Sequence, residues 1–137
     1  MSGIAKSSAF ETQLLEYIFK GTAFPWDAAT NIVVNLHTAD PGEGGTTATS
    51  VATYGAYAPV VVSRSGAGFG VTGAVASNAA LIQFPTCTSG SNVITHFSVA
   101  PQGDTMILYR GALSAPLTVT TGVKPQVDVG AFTVTEY

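Results

Sequence analysis

The sequence predicts a mostly β protein, a jelly roll or related antiparallel β-sandwich with one N-terminal helix, and three observations support this. All seven prolines follow residue 20, with glycines between them, and helices do not tolerate prolines at that spacing. Short β-branched runs, the usual sign of strands, lie between these breakers. Helical periodicity is strong only near residues 9–20. A chain of 137 residues is also close to the commonest size of one domain, so residues 1–137 are predicted to form a single domain.

The predicted helix covers residues 9–20. Ser8 to Glu11 fits the S/T-x-x-E capping box, Lys20 lies in the last turn, and Gly21 occupies the position after the helix where glycine is favoured. Its apolar residues recur at helical spacing: Phe10, Leu14, Leu15, Tyr17, Ile18 and Phe19.

Seven strands are predicted, at residues 31–38, 58–63, 79–84, 92–99, 106–110, 117–121 and 132–135. In the first of them Ile32, Val34 and Leu36 point to one side and the residues between them to the other, so one face of each strand is predicted to be core. The Asp40-Pro41-Gly42 tripeptide is a strong turn signal, and residues 40–53 are predicted to run over the surface.

The charge content restricts the kind of partner. Only 9% of residues are charged, against about 25% in an ordinary soluble protein. With five Lys and Arg and a net charge of -3, a nucleic acid or an anionic membrane surface is not expected as a partner. Mean hydropathy is +0.35, yet no apolar stretch approaches the 18 or so residues of a spanning helix. Residues 1–10 lack an apolar signal region, so cytoplasmic synthesis is expected.

Candidate catalytic and ligand-binding motifs are weak. Gly68 to Gly73 matches G-x-G-x-x-G, but a dinucleotide site needs a helix at the last glycine and an acidic residue about 20 positions later, and the next acidic residue is Asp104. A glycine-rich turn or bulge is therefore preferred. His37 and His96 are too few for a zinc site, and each is expected to pack with its ring nitrogens hydrogen-bonded.

The sequence also gives little support for a catalytic serine or a catalytic pair of carboxylates. No serine lies in a G-x-S-x-G elbow, and no spacing selects a pair of the eight carboxylates, although two of them could meet in space. The prediction is a protein that is not an enzyme, with no cofactor and no metal. Cys87, the single cysteine, is expected to be a small buried hydrophobe.

Two aromatic groups allow alternative interpretations. Phe24-Pro25-Trp26 and the pair Tyr54 and Tyr57 could form stacking platforms for a sugar. The preferred interpretation is that Trp26, the only tryptophan, fills the junction between the helix and the β layer.

The order of several motifs resembles that of small tailed-bacteriophage virion proteins, often labelled tail-fibre-like, and is also similar to that of jelly-roll cement or decoration proteins of phage capsids. The residues that carry the resemblance are Leu14-Leu15, Ile18-Phe19, Gly21–Phe24, Leu36–Glu43, Ile94–Phe97 and Gly111–Leu113. It spans Leu14 to Val129, and Leu36 to Gly42 is its most specific segment. It implies a jelly roll or related sandwich that binds a preformed shell as a dimer or trimer, and it brings no catalytic residues.

The leading hypothesis is a cement protein on the capsid exterior that binds the major capsid protein and further copies of itself and stabilises a phage head. The alternative is a tail-associated fibre or a receptor- or glycan-binding module, and a hydrolase is a third possibility. A low charge content and several aromatic residues are typical of the buried centre of an interface. Weak contacts that are repeated over a particle also give a high overall affinity. Exposed strand edges and the segment from Phe10 to Trp26 are the expected contacts, and the predicted interface residues are Phe10, Leu14, Ile18, Phe24 and Trp26.

Overall fold

The computed structural model describes residues 4–136 and shows a mostly β chain with one helix, which confirms the predicted fold class. The elements in chain order are β1 (Ile4–Lys6), α1 (Ser8–Lys20), β2 (Asn31–His37), β3 (Val60–Ser63), β4 (Phe69–Thr72), β5 (Val75–Asn78), β6 (Ile82–Gln83), β7 (Asn92–Pro101), β8 (Tyr109–Val119), β9 (Gln126–Val127) and β10 (Thr133–Thr135).

The strands form two larger sheets and one short ladder, and all the pairs are antiparallel. One sheet has five strands in the order β1-β8-β7-β2-β3, another has three in the order β10-β5-β4, and β6 pairs with β9. Aromatic rings join the two larger sheets: Phe97 on β7 packs edge-on against Phe132 with centroids 4.8 Å apart, and Phe132 also contacts Phe69 on β4. The sheets therefore pack as a sandwich, while jelly-roll connectivity stays a prediction.

Strand β2 is covered on both faces, which differs from the prediction of one core face per strand. Ile32, Val34 and Leu36 face the core as predicted. On the other face Asn35 and His37 are also buried, because the chain after β2 folds back over them. Residues 40–53 are therefore only partly a surface loop.

The helix begins one residue earlier than predicted, because Ser7 rather than Ser8 is the N-cap. The Ser7 hydroxyl accepts a hydrogen bond from the Phe10 N–H at 3.1 Å, in place of the predicted capping box. The helix ends as predicted, with Lys20 in its last turn and Gly21 in the left-handed conformation at φ 67°.

Two of the predicted strands, residues 106–110 and 117–121, are largely one long strand, β8, which runs through Pro116. Opposite it, Ile94 pairs with Leu117 but His96 pairs with Ala112, so the residues from 113 to 116 form an irregular bulge. Proline is tolerated there because the bulge removes it from the hydrogen-bonded ladder.

The segment Gly68 to Gly73, predicted to be a glycine-rich turn or bulge, has a turn at each end with β4 between them, and β4 and β5 form a β-hairpin. Gly73 opens its two-residue connection at φ 60°, a conformation that favours glycine. A side chain at Gly68 would collide with the Ser63 carbonyl oxygen, so this glycine permits a close backbone approach. Strands β1, β4, β5 and β9 were not predicted, and the strand predicted at residues 79–84 is reduced to β6.

Candidate interaction surface

The first turn of α1 is closed by one capping hydrogen bond and is held to the rest of the chain by two more. The buried Ser7 hydroxyl accepts from Phe10 and donates to the carbonyl oxygen of Ile107, and the Ser8 N–H donates to the Glu43 carbonyl at 2.9 Å. Ile107 is fully buried, so this end of the helix is tied directly to the core.

An aromatic cluster of Phe10, Tyr17, Phe24, Trp26 and Tyr109 lies beneath the helix. Phe10, only 6% exposed, contacts three of the others with centroid distances of 5.6 to 6.1 Å. Phe24 stacks between Trp26 at 4.6 Å and Tyr17 at 4.9 Å. The indole N–H of Trp26 donates to Gln13 on the helix at 2.9 Å, which confirms that Trp26 fills the junction between helix and β layer.

The opposite side of the helix carries an apolar stripe, which we call the helix stripe: Leu15, Ile18 and Phe19. Phe19 is 79% exposed, Ile18 is 60% exposed, and Leu15 is also exposed. The spacing i, i+3, i+4 places the three side chains next to each other on one helical face. The helix thus presents a continuous apolar surface to solvent.

The predicted interface residues lie in different environments. Phe10 is buried, Leu14, Phe24 and Trp26 are half-buried, and only Ile18 is well exposed. Phe10 therefore holds the helix to the sandwich and is not accessible to a partner. Leu15 and Phe19 lie in the predicted contact segment but were not named individually, although helical spacing contained the signal: Phe19 follows Phe10 by nine residues, or two and a half turns, and so faces the opposite way.

His37 is a structural histidine. Its Nδ1 lies 2.8 Å from the Thr49 carbonyl oxygen, which only accepts, so Nδ1 carries the proton and donates. The Nε2 atom, 2.7 Å from Ser98 Oγ, then accepts from the Ser98 hydroxyl. Burial lowers the pKa of His37, so the ring is held neutral.

The second histidine, on β7, is also engaged. His96 has its Nδ1 2.8 Å from the Thr95 hydroxyl oxygen and pairs with His37 across the β2–β7 ladder. The prediction of packed, hydrogen-bonded histidines is therefore confirmed in full for His37, and for one ring nitrogen of the half-buried His96. No group of three or more His, Cys, Asp or Glu within residues 4–136 is placed to hold a metal ion.

Tyr54 and Tyr57 do not form the open sugar platform that was considered. Tyr54 is buried and its hydroxyl donates to the Pro85 carbonyl at 2.7 Å. The Tyr57 hydroxyl donates to Asn35 Oδ1 and accepts from the Leu36 N–H, so it serves to cover β2. Their hydroxyl groups are already bonded to the protein.

The cysteine, the glycine-rich motif and the helix length can also be compared with the predictions. Cys87 is a buried free cysteine, as predicted. The G-x-G-x-x-G segment is the β4–β5 hairpin, with no helix following its last glycine. Within residues 4–136 the helix is neither long nor apolar enough to span a membrane.

Comparison with known proteins gives one informative result. A family model described as podophage GP4 fiber I protein gp80 matches residues 5–135, nearly the whole chain. No curated protein matches the sequence. The family match agrees with the resemblance to phage virion proteins and with a structural role in the virion. The chain belongs to the podophage GP4 fiber I protein gp80 family.

Proposed function

We propose that the protein is a fibre-type structural component of the podophage tail and that the helix stripe binds a neighbouring virion protein. The observation that carries the proposal is the exposure of Leu15, Ile18 and Phe19 on a helix that is firmly held at its other end. The family's fibre description supports the location on the tail.

Burial of the stripe is favourable for a physical reason. Each Å² of apolar surface removed from water contributes about 25 cal/mol, and a phenylalanine that is 79% exposed leaves most of its surface available for this gain. The helix does not have to fold on binding, because its caps and Phe10 already fix it. The chain's low charge adds little repulsion between closely packed neighbours.

The proposed role is non-catalytic, and the partner is another protein surface. Both histidines are engaged in structural hydrogen bonds, and the five Lys and Arg offer little to a nucleic acid or membrane. Trp26 is half-buried beneath the helix and under Arg64, whose guanidinium lies 5.2 Å from the ring centroid, which disfavours a glycan platform there.

The test is incorporation into particles. We expect Phe19→Asp combined with Ile18→Asp to leave the fold intact, by circular dichroism and thermal unfolding, and to abolish co-sedimentation with phage particles that lack the native protein. Val129→Asp is the matched control, because Val129 is 62% exposed and belongs to the connection between β9 and β10, not to the helix. If the double variant binds particles as well as the control does, the stripe is not the contact.

A second candidate function is a cement protein on the capsid exterior, bound to the major capsid protein. The resemblance of the motif order to capsid decoration proteins and the low charge favour it. Gold-labelled antibody on intact particles distinguishes the two locations: label at the tail supports the fibre, and label over the head supports cement. The cement role also requires that particles lacking the protein lose DNA or heat resistance.

A further inference from the structure

The hairpin of β4 and β5 lies in a long uncharged segment of the sequence. Between Arg64 and Asp104 the sequence has no Asp, Glu, Lys or Arg, and this segment supplies β4, β5, β6 and β7. Strand β4 is an outer strand of the three-stranded sheet, and Val71 at its centre is 74% exposed. An apolar, uncharged strand therefore lies at an open sheet edge.

The hydrogen bonds of the hairpin show which backbone groups face outward. The Ala79 N–H donates to the Gly68 carbonyl, so Gly68, and with it Gly70 and Thr72, bond to β5. Phe69 and Val71 alternate with these residues, so their backbone N–H and C=O groups point away from β5. The Phe69 N–H already donates to the Ser65 carbonyl at 3.0 Å. The Val71 N–H and C=O thus point outward, and no hydrogen bond to them is found within residues 4–136.

Other sheet edges carry the features that prevent pairing, such as charges and prolines. Strand β3 lies between Pro59 and Arg64. Strand β1 contains Lys6, which forms an ion pair with Glu136 next to β10. Strand β4 has neither a charge nor a proline and is flanked by Gly68 and Gly73, whereas β10 at the opposite edge is followed directly by Glu136, so the β4 edge is the better suited of the two to accept another strand.

We propose that β4 pairs antiparallel with β4 of a second copy of this chain, about a twofold axis at Val71. The two Val71 residues would exchange a pair of N–H···O=C bonds, and the Gly73 N–H of each copy would reach the Phe69 carbonyl of the other, which joins two three-stranded sheets into one of six strands. A twofold axis places each residue near its own copy, and an uncharged strand suffers no like-charge repulsion in that arrangement. The proposal is independent of the proposed function, since it uses neither the helix stripe nor a location in the virion.

A single strand pair is a small interface, so the expected dimer is of modest affinity and is tested over a concentration series. We expect light scattering with size-exclusion chromatography to show dimers of the full chain that dissociate on dilution. Val71→Pro removes only the outward N–H and leaves the β4–β5 hydrogen bonds intact, so it should weaken the dimer at least tenfold with little change in thermal unfolding.

A second variant keeps the test decisive if proline perturbs the hairpin. Val71→Lys places two positive charges opposite each other across the twofold axis and should also weaken the dimer at least tenfold, with partial recovery at high salt. Val129→Lys, at another exposed valine that lies outside β4, should dimerise like the unmodified protein. A chain that is monomeric at every concentration, or a dimer lost with Phe19→Asp but kept with both Val71 variants, would overturn the proposal.

Discussion

The two ends of α1 differ sharply, although they belong to one short helix. The first turn is buried and bound: Ser7 caps the helix and bonds to Ile107, and Phe10 enters the aromatic cluster. The last two turns expose Leu15, Ile18 and Phe19 to solvent. The first turn and the contacts of Gln13 and Tyr17 with Trp26 and Phe24 fix the helix on the sandwich, which leaves Leu15, Ile18 and Phe19 free to serve an interface.

The largest expected effect is on stability, and it differs when the same Phe→Ala substitution is made at the two ends of the helix. Phe10→Ala removes a buried ring from the aromatic cluster and should lower the free energy of unfolding by about 3–5 kcal/mol. Phe19→Ala removes an exposed ring and should change it by less than about 0.5 kcal/mol. Urea denaturation of both variants measures the difference. Equal losses would mean that the two ends of the helix contribute alike to stability.

A smaller effect is expected at the helix cap. Ser7→Ala removes the hydroxyl that accepts from Phe10 and donates to Ile107, and should lower the free energy of unfolding by about 1 kcal/mol or somewhat more, because the Ile107 carbonyl is left without that donor. Ser8→Ala is the matched control, since the Ser8 side chain is exposed and its backbone N–H still reaches Glu43. If Ser8→Ala lowered the free energy of unfolding as much as Ser7→Ala, the assignment of Ser7 as the N-cap would be contradicted.

The smallest expected effect is a pH dependence of stability, which arises from His37 and the loop that carries Glu43 and Thr49. His37 fixes Thr49 in the same loop that carries Glu43, the acceptor for Ser8. Burial lowers the pKa of His37 below the usual 6.5, so the unfolded chain binds this proton more readily and stability should fall as the pH drops below 6.5. Protonated Nε2 becomes a donor, and the Ser98 hydroxyl can no longer donate to it.

The measurement is the free energy of unfolding as a function of pH. Burial acts to raise the pKa of Asp40, but the Gly42 N–H and Arg110 outweigh it, so this carboxyl titrates below its usual 3.8 and outside the histidine range. His37→Gln should be less stable at neutral pH and should lose most of the dependence near pH 6.5. Stability that rises on acidification through that range would contradict the assignment of a neutral buried His37.

Local sequence signals predicted those parts of the fold that depend on neighbouring residues. Proline spacing excluded further helices, alternation identified the inward side chains of β2, and Gly21 marked the end of α1. Of the residues named for an interface, Ile18 is exposed and Phe10 is buried. Periodicity shows which residues share a helical face but not which face meets the sandwich.

By itself the sequence determined the β-rich class, the single helix with its C-terminal end, the scarcity of charge and the resemblance to phage virion proteins. Only the tertiary structure decided which serine caps the helix, that Tyr57 covers β2, that β8 passes through Pro116, and that β4 is left at an open edge. Each of these depends on atoms far apart in the chain, such as Ser7 and Ile107. Their hydrogen bonds and burial exist only once the sheets have packed, so no local pattern contains them.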